Sequence, residues 1–82
     1  MARLSAADLA AAVELAGLYR AAARTTTSRE ADRVACEIAG LEAGIRAYRG
    51  SAHVFVIQDE AQRVNQRVAK NIDYLRTQIA AA

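Results

Sequence analysis

Apolar and polar positions divide the chain at two points. From Ala6 to Arg24 nearly every residue is a strong helix former, with Leu4, Leu9, Val13, Leu15 and Leu18 set among alanines. Ser5 stands in front of this run as a candidate N-cap. Thr25-Thr26-Thr27-Ser28 interrupts it, because a run of β-branched residues weakens a helix. Thr27 with Glu30 three positions on reads as a capping box. The pattern predicts a break or a new helical phase at 25–28.

Val34, Ile38, Leu41, Ile45 and Tyr48 follow at intervals of 4, 3, 4 and 3, the seam of a coiled coil. Glu42 and Arg46 are placed to pair on its outer face, and Gly50-Ser51 reads as the stop. Next comes the one strand candidate, His53-Val54-Phe55-Val56-Ile57-Gln58, β-branched and aromatic without a helical charge pattern. A solitary strand leaves both edges unpaired, so its pairing is expected from a short hairpin and from another chain. Asp59 and Glu60 then place negative charge at the start of a last helix, with Gln62 as a capping partner. Ala61, Val64, Val68, Ile72, Leu75 and Ile79 mark one face of it. The expected fold is mainly α, an antiparallel helical hairpin of coiled-coil type with a short β-element between its helices. It spans 1–82 as one domain: 1–49 helical, 50–58 β, 59–82 helical.

Composition changes this picture in one respect. Hydrophobic residues make up 54% of the 82, but 21 of them are alanine, leaving 23 larger apolar side chains. A chain this short buries a modest share of its surface, and alanine adds little area per residue. With no proline and one cysteine, it also lacks the disulfide staples that support many small domains. Long helices that complete their core against other chains fit these numbers better than a self-sufficient enzyme.

Charge adds little. The net charge of +2 is evenly spread, with seven arginines against six acids in 1–58 and four basic groups against three acids in 59–82. That is no electrostatic footprint for nucleic acid. No apolar stretch approaches the length of a membrane span. A lone cysteine suits a reducing, cytoplasmic setting. The start, Met1 to Ala7, faintly resembles an organellar presequence, but Asp8 and Glu14 spoil its acid-poor pattern.

Candidate chemistry is sparse. Cys36 and His53 lie on different predicted elements, and Cys36 reads as a small buried apolar residue rather than a nucleophile. Asp59 and Glu60 are explained by helix capping, not by paired-carboxylate catalysis. One histidine and scattered acids supply no metal set, so neither metal nor cofactor is expected. Arg63, Arg67 and Lys70 share one helical face, which reads as a solvated surface before an anion-binding stripe.

The segment Tyr48-Arg49-Gly50-Ser51-Ala52-His53-Val54-Phe55-Val56-Ile57-Gln58 resembles the hairpin signature of prefoldin β-type subunits, nearest the subunit-one branch. Tyr48, Gly50, Phe55 and Gln58 stand at the signature positions and His53 at the basic one. Ala52 replaces the usual second glycine, and Asp59 to Ala82 gives an arm of 24 residues, ~36 Å, shorter than in the family. The resemblance implies a heterohexameric, ATP-independent co-chaperone that holds unfolded clients such as actin or tubulin for a chaperonin. In that role Tyr48, Gly50, Val54, Phe55, Val56, Ile57 and Gln58 would form the assembly body. Val34, Ile38, Leu41, Ile45, Val64 and Val68 would form the coiled-coil seam. Leu4, Leu9, Val13, Ile72, Leu75 and Ile79 would hold clients. The alternative expectation is a helical scaffold or accessory subunit of a larger protein complex, without clients. Neither reading calls for nucleic acid or membrane.

Overall fold

The computed structural model describes residues 4–81, which form three α-helices and no strand: α1 (Ala6–Arg24), α2 (Ser28–Arg49) and α3 (Ser51–Ala81). The presequence-like residues Met1-Ala2-Arg3 and the terminal Ala82 lie outside the described residues.

Local chemistry sets the boundaries. Ser5 caps α1 by accepting the Asp8 amide at 3.1 Å, and Asp8 returns the bond to the Ser5 amide at 3.2 Å. At the other end Thr25 turns extended, and Thr27 caps α2 by accepting the Glu30 amide at 3.2 Å. Gly50 alone joins α2 to α3. Its amide closes α2 on the Arg46 carbonyl, and its own carbonyl accepts the His53 amide of the next helix. It does so at φ 92, ψ 161, a conformation open in practice to glycine.

The β-element expected at 50–58 is helix. Val54, Ile57 and Ala61 share one helical face and enter a common core with Ala12, Leu15 and Ala16 of α1 and Ile45 of α2. Each β-branched residue costs a few tenths of a kcal/mol in a helix. Burying Val54 and Ile57 returns about 1.5–3 kcal/mol apiece, and a helix satisfies its own backbone where a lone strand does not. Tertiary burial therefore decides the state. Asp59 and Glu60, read as a helix start with Gln62, sit well inside α3, and Glu60 pairs with Arg63 and Arg67 instead. Glu42 likewise takes the Gln58 amide rather than Arg46. Cys36, expected inside, is exposed.

Cross-helix contacts give the topology. Arg49 reaches Ser5, and Glu42 meets Gln58, so α2 runs antiparallel to both neighbours. Asp8 meets His53 while Ala16 and Arg20 meet Asn65, so α1 and α3 run parallel. Three fully buried alanines, Ala12, Ala16 and Ala61, let α1 and α3 approach closely. The described residues measure 49 × 38 × 15 Å, and each helix packs on both of the others, so the core lies between three helices.

Candidate interaction surface

Three features stand out on this three-helix bundle: a polar latch, an apolar groove beside it, and a projecting helix end.

The latch ties all three helices at one end. Asp8, which the apolar pattern passed over, is buried. Its Oδ1 lies 3.0 Å from His53 Nε2 and 3.3 Å from an Arg49 guanidinium nitrogen. The imidazole is close enough for an ion pair but lacks hydrogen-bond alignment. His53 holds the Asp8 carboxyl below its ordinary range, against desolvation, with Ser5 and Arg49 adding to the effect. Deeper along α1, burial and then Glu42 push the Tyr19 phenol up. Asn65, also unmarked by any motif, donates to the Ala16 carbonyl at 3.2 Å and accepts from Arg20. These contacts are structural. Cys36 lies apart from them on the exposed surface of α2.

The groove, about 300 Å³, opens between α1 and α2. Ala7 and Ala11 line one side, Gly40 and Gly44 the other, with Ile57 at its base and Tyr48 at its rim. A side chain at Gly40 or Gly44 would meet nothing within 4 Å, so the space above both is open.

The third feature follows from length. α3 has 31 residues against 19 for α1 and 22 for α2. From Ala69 to Ala81 every residue is exposed. Coverage falls steadily outward along its apolar face, with Ile72 39%, Leu75 57% and Ile79 76% exposed. The face that packs on α1 at Ala61 thus continues into solvent without a partner helix.

The residues expected to act together are divided among these features. Of the assembly set, Val54 and Ile57 are buried in the chain's own core, Gln58 bonds Glu42, and Gly50 is the junction. Tyr48, Phe55 and Val56 face outward, Phe55 being 66% exposed. Of the seam set, Val34 and Ile45 are buried, and Ile38, Leu41 and Val64 pack around the core. Val68 is half-buried where the projecting end begins. Leu4 is half-buried, whereas Leu9 and Val13 are exposed on α1. Arg63 and Arg67 both lie on Glu60, at 3.4 and 3.2 Å, which offsets part of the basic face they share with Lys70.

Among the described residues no group of three His, Cys, Asp or Glu side chains is placed to hold a metal ion, and no helix is long and apolar enough to cross a membrane. Comparison with family models, with curated proteins and with solved structures finds no match to this chain.

Proposed function

We propose that the chain is a helical protein–protein interaction module, an accessory or scaffolding subunit that docks through the projecting end of α3. One observation carries this reading: the apolar face of α3 runs past the end of α1 with Ile72, Leu75 and Ile79 uncovered. An amphipathic helix gains most of its stability from a partner on that face, and exposed apolar stripes of this kind mark interaction sites. The small area that an alanine-rich core buries points the same way.

A second reading keeps the same arm for a different task. In a prefoldin-type holdase, Leu9, Val13, Ile72, Leu75 and Ile79 would bind unfolded clients, and their exposure favours it. The hairpin that carried that resemblance is helical, so docking onto a folded partner ranks first.

Cross-linking in the source cell separates the two. The wild-type chain and a variant with Ile72, Leu75 and Ile79 changed to Ser are compared for discrete cross-linked products. Discrete products that vanish in the variant are the expected result. Products unchanged in the variant would refute the docking role of the arm. Suppression of client aggregation by the wild type alone would favour the holdase.

A further inference from the structure

The groove between α1 and α2 takes no part in the docking proposed for α3. We infer that it binds a small monocarboxylate, whose apolar body lies in the groove and whose carboxylate pairs with Arg49.

The first argument is the shape of the walls. Gly40 and Gly44 lie inside α2, where glycine is less favourable than alanine. Glycine is of use in such a place where another backbone or a ligand comes close. Among the described residues nothing does, since a Cβ at either position would meet no atom within 4 Å. Ala7 and Ala11 keep the facing wall of α1 equally short. These four residues hold open about 300 Å³, with Leu41 and Ile57 adding to its apolar lining.

The second argument is size. Ligand pockets run from roughly 300 to 1,000 Å³, and this groove stands at the small end. At ~30 Å³ for each water-sized group, it takes about ten non-hydrogen atoms. One turn of an α-helix, a cylinder about 10 Å wide and about 5.4 Å long, fills roughly 400 Å³. The groove is scaled to a small molecule rather than to a partner helix.

The third argument is the placement of charge. Polar side chains line one end only, those of Asp8, Tyr48 and Arg49. Asp8 is buried and both its oxygens are engaged, Oδ1 by His53 and Arg49, Oδ2 by the Ser5 amide. It has little to offer a cation. Arg49 is exposed and meets Asp8 and Ser5 through one Nη2 atom. Its other guanidinium nitrogens keep donors for an anion. A carboxylate held there lets its tail lie along Gly44 and Gly40, where the groove is apolar.

NMR titration of the full chain with octanoate, octanol and octylamine, which share one chain length, tests this. Octanoate gives saturable shifts of the Ala7, Ala11, Gly40 and Gly44 amides, with a Kd between about 10 μM and 1 mM. Octanol binds roughly tenfold more weakly, because it forgoes the charged hydrogen bond to Arg49, and octylamine binds no better than octanol. In Arg49→Gln, octanoate and octanol bind alike. Gly44→Leu fills the groove and abolishes binding. G40A/G44A, which alanine's helix preference keeps folded, weakens binding several-fold. The arm variant with Ile72, Leu75 and Ile79 changed to Ser binds octanoate as the wild type does. Absence of saturable binding at millimolar octanoate overturns the inference. So do shifts that follow α3 beyond Val68 and vanish in the arm variant, equal affinity of the wild type for octanoate and octanol, or binding that survives both groove substitutions.

Discussion

Asp8 Oδ1 lies 3.0 Å from His53 Nε2, joining the first turn of α1 to the first turn of α3. Arg49, in the last turn of α2, approaches the same oxygen at 3.3 Å. One buried carboxylate thus holds an end of each helix, at the latch that closes one end of the bundle. His53 is the chief cause of the lowered Asp8 pKa. A carboxyl whose folded pKa is depressed contributes stability that is present above its unfolded value, near 3.8, and is lost as pH falls through the folded one. Thermal melts followed by circular dichroism should show Tm dropping below about pH 4. Asp8→Asn should lower Tm at neutral pH and flatten that drop. A variant that melts like the wild type throughout would show that the latch carries no stability.

Gly50 carries the second prediction. It alone turns the chain from α2 into α3, at φ 92. Nothing surrounds the position a Cβ would occupy, so the cost of Gly50→Ala is purely conformational, about 1–3 kcal/mol. Gly40 and Gly44 have the same open surroundings but lie within a regular helix. Alanine there should stabilise the chain by about 0.5–1 kcal/mol each. Chemical denaturation of the three variants checks both signs. An equal effect at all three positions would refute the junction.

The third prediction separates neighbours in sequence. Ile57 and Leu15 are fully buried side chains of the core, while Phe55 is mostly exposed. Leu15→Ala or Ile57→Ala should cost about 2–5 kcal/mol. Phe55→Asp should stay within about 0.5 kcal/mol, as surface changes do. Were 50–58 a strand in a subunit body, Phe55→Asp would be the damaging change and would disperse an oligomer. Denaturation midpoints with sedimentation decide between the two.

Much of the fold was legible where it depends on neighbours along the chain. Ser5 and Thr27 announce the starts of α1 and α2, the threonine run announces the break, and Gly50 announces the junction. Val34, Ile38, Leu41 and Ile45 are buried or half-buried on α2, whereas Tyr48, next at the same spacing, is exposed. The stretch from His53 to Gln58 was misread because a short β-branched run fits a strand and a buried helical turn equally well. Only the partner across the core decides, and the deciding contacts come from Ala12, Leu15 and Ala16 far away in sequence. The latch was hidden for a related reason. Nothing local links Asp8 to His53 until α1 and α3 are known to run parallel. The projecting end was half legible: Ile72, Leu75 and Ile79 showed a seam, but its lack of cover follows from α1 being shorter.

That inequality of length makes the last prediction. Lys70 to Ala81 are all exposed, and the α3 members of the buried core end at Ala61. Deleting residues 70–82 should therefore remove helical signal in proportion to its length yet cost the three-helix body no more than about 1 kcal/mol. Protein concentration must be held low for this comparison. Any association through the arm would stabilise the full-length chain by mass action and make its Tm rise with concentration, which the truncated chain cannot do. Two melting series, each at several concentrations, give the answer. A Tm that falls on truncation as far as it does with Leu15→Ala, at the lowest concentration, would place the arm within the folded body and remove it as a free surface.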